Sequence, residues 1–163
     1  MKEVIKALVR LKRESPIVYG GKCGFKKLTV ELHAGLSLEE IKRTSQRYNR
    51  YGVRLPEDYV KLLNFSNGVY FFEHADCQIY DLKEAFTLGI EEWKEKGHLC
   101  IGQFYEDTIY LKCDGSSRNI FVSEEGFSEL RPMNMSLRAF LDASLCSGFS
   151  YFWLWGTDDY DLY

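Results

Sequence analysis

The segment that most constrains the fold is residues 55–72, LPEDYVKLLNFSNGVYFF. Pro56 suits the first turn of a helix, where its missing N–H would have no partner, and the two acidic residues after it favour the positive end of the helix dipole. Asn67 and Gly68 then supply the positive φ that ends the helix and turns the chain into a strand. The large side chains that share one face of this helix are Tyr59, Leu62 and Leu63.

Helical patterns recur elsewhere in the chain. Residues 2–13, 37–51 and 135–145 are predicted to be helical. Residues 82–96 are predicted to be helical or irregular. The first ends before Pro16, which disfavours helical geometry in the residue preceding it. The second begins with a capping box formed by Ser37 and Glu40, and Ser136 can cap the last helix.

Short runs rich in β-branched and aromatic residues alternate with turn residues in the rest of the chain. The predicted strands are residues 28–32, 69–72, 77–82, 98–104, 108–114 and 118–124. Residues 16–27, which contain YGGKCG, are expected to form a loop. Most strands follow one another without a crossover helix. The chain is therefore predicted to be α+β, with a mainly antiparallel central sheet flanked by N-terminal helices and a C-terminal helix.

The length of 163 residues fits one domain with one core. Helical spacing places the core on one face of three predicted helices: the N-terminal helix, the helix that begins at Pro56 and the C-terminal helix. The residues expected to be largely buried there are Val4, Leu8, Leu11, Tyr59, Leu62, Leu63, Phe140 and Leu141.

Motifs for catalysis or ligand binding fail on detail. Lys22 follows two glycines, but a phosphate loop needs a glycine where Pro16 stands and a Ser or Thr where Cys23 stands. His74 and Cys77 could share a metal, yet no second close pair offers the remaining ligands. There is no G-x-S-x-G elbow and no local cysteine signature. We therefore expect no catalytic residue, no cofactor and no metal, in a protein that is not an enzyme.

Charge is divided unequally along the chain. Residues 1–54 contain 13 Lys and Arg against 5 Asp and Glu, and the remainder contains 8 against 19. Such a division either marks an acidic surface for a basic partner or lets the two halves cancel by packing together. Residues 42–54 are rich in Arg, but the helical spacing indicates a solvated or internally paired face, so no direct nucleic-acid binding is expected.

The N-terminal segment places Lys and Arg between its apolar residues, unlike a signal peptide, and no apolar stretch approaches the length that spans a bilayer. The five cysteines are widely spaced and include no C-x-x-C pair, as is typical of reduced thiols. We therefore expect a cytoplasmic protein without membrane association.

Residues 55–59, followed by Leu62-Leu63 and Asn67-Gly68, resemble the signature helix and turn of the SUKH superfamily of Smi/Knr-type proteins. Later strands and the last helix are similar in order, at Ile101-Gly102, Asp114-Gly115, Ile120-Phe121-Val122, Ser136-Leu137 and Phe140-Leu141. The resemblance implies a single SUKH-like domain over residues 1–163. Its family-like core covers about residues 37–146, and residues 147–163 form an aromatic and acidic tail. We expect the tail's tryptophans to dock on the sheet and its final aspartates to be exposed.

The resemblance also implies a function. Most bacterial SUKH proteins are regarded as immunity proteins that bind and block the polymorphic toxins encoded beside them, many of which are nucleases. Fungal members look like hubs in cell-wall signalling. We expect a non-catalytic immunity protein for a cognate toxin, and the alternative is a Smi/Knr-type regulatory scaffold or binding module without a toxin partner.

A nuclease groove is basic because it must hold phosphates, so a toxin of that kind should meet carboxylates with aromatic neighbours. The partner is therefore expected to present a basic surface. The residues predicted to bind it are Glu73, Asp76, Glu106, Asp107, Asp158, Asp159, Tyr160 and Asp161.

Overall fold

The computed structural model describes residues 1–21, 24–48, 54–72, 77–88, 97–123, 130–149 and 152. Within them the helices are α1 (Lys2–Glu14), α2 (Leu38–Tyr48), α3 (Glu57–Phe65), α4 (Leu82–Thr87) and α5 (Leu137–Cys146). The strands are β1 (Ile17–Gly21), β2 (Gly24–Leu28), β3 (Val30–Leu32), β4 (Val69–Phe71), β5 (Cys77–Ile79), β6 (His98–Phe104), β7 (Asp107–Lys112), β8 (Ile120–Ser123) and β9 (Arg131–Pro132).

Strands β3 to β9 form one antiparallel sheet in which the spatial order is the chain order. Strands β1 and β2 pair only with each other, in a separate two-stranded sheet. The predicted α+β class, with a mainly antiparallel sheet and helices before and after it, is confirmed.

The strand register separates the two faces of the large sheet. The face toward the core carries, from β3 to β8, the aligned row Leu32, Val69, Ile79, Gly102, Ile109 and Val122. The opposite side carries the aligned row that we call the outer face: Glu31, Tyr70, Gln78, Gln103, Thr108 and Ser123. Glu31 is exposed and the other five side chains are half-buried. The sheet therefore has one dry face and one partly solvated polar face.

A β-bulge in β6 accommodates the close approach of β5. The register of β6 against β7 shifts between Cys100 and Gly102, so Ile101 is the extra residue. A Cβ atom on Gly102 would overlap the backbone carbonyl of Gln78. Position 102 therefore requires glycine because a side chain would not fit against β5, and not because the chain turns there.

The core lies between the sheet and the helices and contains most of the predicted core residues. Seven of the eight are buried: Val4, Leu8, Tyr59, Leu62, Leu63, Phe140 and Leu141. Leu11 is only partly buried, at the edge of the same cluster. At the centre, Phe104 contacts Phe71, Phe140 and Phe149, with ring centroids 5.2–6.4 Å apart. Such tilted and edge-on pairs are the favoured aromatic geometries.

The turn that follows α3 joins four elements. Gly68 has φ 107°, as its place after the helix predicted. The side-chain oxygen of Asn67 accepts a hydrogen bond from the Leu82 N–H at 3.0 Å and so caps the start of α4. The Asn67 N–H donates to Ala34 at 3.3 Å, in the segment between β3 and α2. The Ser66 hydroxyl lies 3.1 Å from the carbonyl oxygen of His33 in the same segment.

The two predicted helix caps are present, and the structure contains a further cap that was not predicted. Ser37 and Glu40 form the reciprocal bonds of a capping box. The Ser37 hydroxyl and N–H both donate to the Glu40 carboxylate, and these two bonds hold the pKa of Glu40 below its ordinary value. Ser136 accepts from the N–H of Ala139 at 3.2 Å. A second capping box, formed by Asp81 and Glu84, begins α4 and was not predicted.

The prediction of a loop over residues 16–27 is wrong, because β1 and β2 form an antiparallel hairpin there. Ile17 pairs with Leu28, and Gly21 pairs with Gly24 at the other end. The glycines made the segment resemble a mobile connection, but they end the strands rather than interrupt them. The β-branched Ile17 and Val18 were the strand signal. A smaller error concerns Leu82, which begins α4 instead of ending β5.

The packing of α3 generates a stability prediction. Leu63 is fully buried, whereas Leu38, the first residue of α2, is 65% exposed. We expect Leu63→Ala to lower the free energy of unfolding by about 2–5 kcal/mol, through lost burial and the cavity left behind. The same truncation at Leu38 should cost less than about 0.5 kcal/mol. Urea denaturation measures both, and equal losses would contradict the assignment of the buried face.

Two buried hydroxyl groups, those of Tyr59 and Ser66, differ in their hydrogen bonding and lead to a second stability prediction. The Tyr59 hydroxyl has no hydrogen-bond partner within the described residues, and burial raises the pKa of this phenol. The Ser66 hydroxyl lies against two backbone carbonyls. Ser66→Ala should therefore cost about 0.5–1.5 kcal/mol, because it removes the one hydrogen bond that this hydroxyl can donate to the two carbonyls. Tyr59→Phe should be neutral or stabilising, since it removes a desolvated group that pairs with nothing. Thermal unfolding of both variants is the measurement, and a greater loss for Tyr59→Phe would be inconsistent with this environment.

Candidate partner-binding surface

The structure describes two of the eight residues predicted to bind a partner. Glu106 is exposed in the turn between β6 and β7. Asp107 is the first residue of β7 and is only 6% exposed, so its carboxylate is less available to a partner than was expected. The other six lie outside the described residues: Glu73, Asp76, Asp158, Asp159, Tyr160 and Asp161.

The turn that carries Glu106 is held at one end of the sheet. Phe104 pairs with Asp107 across this two-residue turn, and Tyr105 within it has φ 55°. The Tyr105 carbonyl accepts a hydrogen bond from the Gln103 side chain at 2.8 Å. Phe104 also pairs with Cys77, which pairs with Phe71. The turn therefore adjoins the strand ends that flank residues 73–76.

Hydrogen bonds and ring contacts fix the side chains on the outer face and beside it. The Tyr80 hydroxyl donates to Gln103 Oε1 at 3.2 Å. The rings of Tyr70 and His33 lie 4.8 Å apart. Large polar side chains held this way lose little conformational entropy on binding, which is a property of good interface residues.

Three carboxylates surround the Tyr70 end of the outer face, and we call them the acidic corner: Glu31, Asp81 and Glu84. Burial raises the pKa of Tyr70, and the negative charges of Glu84, Asp81 and Glu31 raise it further. Burial also raises the pKa of Tyr80 to about 12, with contributions from Cys100, Glu84 and Tyr70.

No Lys or Arg forms an ion pair with the acidic corner in the part of the chain that the structure describes. Sequence reasoning missed this group because its members belong to β3 and to the capping box of α4, far apart along the chain. Only the sheet pairing and the turn after α3 bring them together.

The described residues contain no group of three or more His, Cys, Asp and Glu that could hold a metal ion. Cys113 is buried, and burial raises the pKa of its thiol to about 12, so it is protonated at neutral pH and is a poor nucleophile. None of the described helices is long and apolar enough to cross a membrane.

The fold defines an α+β protein built on an antiparallel meander, with helices packed on its dry face. The model of the SMI1 / KNR4 family (SUKH-1) matches residues 35–143, which run from just before α2 into α5. The match covers more than half of the 163 residues, and the chain belongs to this family. The resemblance of the α3 helix and turn to SUKH proteins is thereby confirmed. Comparison with curated proteins returned no match.

The Tyr80–Gln103 bond on this surface leads to a pH-dependent prediction. The folded state holds the pKa of Tyr80 at about 12, above its ordinary value of 10.0, so unfolded chains lose this proton first as the pH rises. Tyr80→Phe should cost about 0.5–1.5 kcal/mol near pH 7, where the hydroxyl donates its hydrogen bond. The difference should shrink as the pH rises above 10, because wild-type stability declines through this window.

Urea denaturation of both proteins between pH 7 and pH 11.5 tests this expectation. Tyr70→Phe is the matched control, because the Tyr70 hydroxyl donates no hydrogen bond within the described residues. A stability difference for Tyr80→Phe that stays constant across the pH range would contradict the assigned role of the hydroxyl.

Proposed function

We propose that this protein is a non-catalytic immunity protein that binds a cognate bacterial polymorphic toxin and neutralises it by direct contact. Membership of the SMI1 / KNR4 family (SUKH-1) is the observation that carries the proposal. The motifs that indicate the family are structural: Tyr59, Leu62 and Leu63 are core residues, and Asn67 and Gly68 form the turn after α3. Motifs of this kind specify a scaffold and leave its exposed surface to determine the partner.

The acidic corner and the outer face are the best described candidates for the contact with the toxin. An inhibitor without chemistry must cover an active site or lock a structure, which needs a complementary interface. A nuclease active site is basic, and carboxylates that form no ion pair within the described residues, beside half-buried aromatics, complement it in both charge and surface. Glu106 adds an exposed carboxylate at one end of the sheet. The remaining predicted carboxylates, in residues 73–76 and in the tail, are part of the same proposal.

The proposal includes a cytoplasmic location, where a toxin must be blocked before it harms the cell that makes it. Cys113 is buried and Cys146 is exposed, and both thiols are free. Free thiols of this kind persist in a reducing compartment.

The primary experiment uses the protein encoded by the neighbouring gene as the candidate toxin. Its expression alone should arrest growth, and coexpression with this chain should restore growth. The purified proteins should form a complex that has lost the toxin's activity. If the two proteins do not bind and growth is not restored, the proposed partner is wrong. Binding that leaves the activity intact would instead support a scaffold role.

Charge steering provides the residue-level prediction. We expect the double variant Glu31→Gln and Glu106→Gln to slow association with the toxin by about two- to tenfold at low salt, and to reduce the salt dependence of the association rate. The control is Glu39→Gln, an exposed carboxylate on α2 outside the acidic corner. Surface plasmon resonance at 50 and 300 mM NaCl measures the rates, and equal rates for the double variant and the control would remove these two carboxylates from the interface.

The tail requires its own variant. Replacing Asp158, Asp159 and Asp161 together with Asn should slow association in the same salt-dependent way if the tail faces the toxin. Unchanged kinetics at both salt concentrations would remove the tail from the interface and leave the sheet-side carboxylates as the contact.

A further inference from the structure

A cleft of about 470 Å³ lies where the N-terminal ends of α3 and α5 meet the connection between β7 and β8. We call it the helix-end cleft, and the residues that carry the argument are Arg54, Glu57, Asp58, Ser117, Asn119 and Leu137. It shares no residue with the acidic corner or the outer face. What it binds is therefore independent of the surface proposed for a toxin.

Both helices present unpaired backbone N–H groups at this cleft. In α3 the first intrahelical bonds are those of Tyr59 and Val60 to the Pro56 carbonyl, and Pro56 provides no side-chain cap. The N–H groups of Glu57 and Asp58 therefore have no partner within the described residues. In α5 the Ser136 hydroxyl accepts from the N–H of Ala139, and no described residue accepts from the N–H groups of Leu137 and Arg138. Two positive helix ends thus border one cavity.

Asn119 is the second and independent observation. Its side chain lines the cleft and is only 4% exposed. Its Oδ1 atom is buried and has no hydrogen-bond partner within the described residues. The backbone of Asn119 is bonded on both sides, to Lys112 and to Met135, so the residue is held in place while its Oδ1 atom accepts no hydrogen bond within the described residues. A buried amide that the fold does not use can rotate about χ2 and present its N–H₂ group to a ligand.

Charged side chains at the rim decide the sign of the ligand. The Arg54 side chain is exposed there. The carboxylate of Glu57 forms an ion pair with Lys61 at 2.6 Å, which holds the pKa of Glu57 below its ordinary value. The carboxylate of Asp58 lies 3.9 Å from the N-terminal ammonium of Met1, which offsets part of its charge. The cleft therefore favours a small anion held by directed hydrogen bonds over a large anion held by net charge.

We propose that the helix-end cleft binds an oxyanion, either a phosphate group or a carboxylate, through the free N–H groups of α3 and α5, the Asn119 amide and the Arg54 guanidinium. The Ser117 hydroxyl lies in the same wall and is a further donor. Phosphate and carboxylate share this chemistry and differ in charge and in the number of acceptor oxygens.

The test is a ¹H–¹⁵N correlation NMR titration of the purified chain with sodium phosphate and, separately, with sodium acetate, at constant ionic strength set with NaCl. We expect saturable shifts of the amide signals of Glu57, Asp58, Ser117 and Leu137, with a stronger response to one of the two anions. Preference for phosphate identifies a phosphate group as the ligand, and preference for acetate identifies a carboxylate.

Two variants and a control separate a site from general charge attraction. Asn119→Leu and Arg54→Gln should each raise the dissociation constant at least about fivefold, which corresponds to roughly 1 kcal/mol. Arg118→Gln removes an exposed arginine of the same connection that does not line the cleft, and it should leave the dissociation constant unchanged. Thermal unfolding provides the structural control, because Asn119→Leu deletes an amide whose oxygen pairs with nothing and should keep the midpoint of the wild type.

Absence of saturation with both anions would overturn the proposal. So would equal weakening by all three variants, which is the signature of non-specific attraction. If Asn119→Leu unfolds the chain, Arg54→Gln and Arg118→Gln still decide the outcome, since both replace exposed side chains. The titration uses no toxin, so its result and that of the neutralisation experiment are separate.

Discussion

The turn after α3 is the constraint on which the rest of the structure depends. Asn67 and Gly68 end the helix, start β4 and cap α4, and the same turn bonds to the segment that joins β3 to α2. Gly68 adopts a left-handed φ. A Cβ atom added to Gly68 would lie 3.3 Å from Nδ1 of the His33 ring. Any other residue at position 68 would strain the backbone, and its Cβ would be crowded by the His33 ring. Sheet edge, helix layer and acidic corner are thus positioned by one short stretch of chain.

The two surfaces of interest arise from different physical sources. The acidic corner exists because sheet pairing and a capping box bring three carboxylates together. The helix-end cleft exists because two helices begin at the same place and share few caps. The first surface acts through long-range charge and is screened by salt, whereas the second acts through short, directed bonds that salt screens less.

Much of the fold could be predicted because its determinants are local. The helix faces of α1, α3 and α5, the caps at Ser37 and Ser136, and the Gly68 turn depend on residues within a few positions of one another. Non-local features could not be predicted. The bulge at Ile101 reflects the approach of a neighbouring strand, and the hairpin of β1 and β2 is a pairing that glycine-rich composition disguised. The acidic corner escaped prediction for the same reason, as did the burial of Asp107.

The order of the large sheet has a consequence for how the chain reaches its native state. Every strand from β3 to β9 hydrogen-bonds only to the strands that precede and follow it in the large sheet. Most contacts of the sheet can therefore form between segments that leave the ribosome in succession, with short loops to close. The pairing of β3 with β4 spans α2 and α3, and the pairing of β5 with β6 spans α4, so these two pairings close longer segments. A newly made chain can thus assemble its sheet by successive hairpins, which shortens the time during which unpaired strand edges are exposed to aggregation.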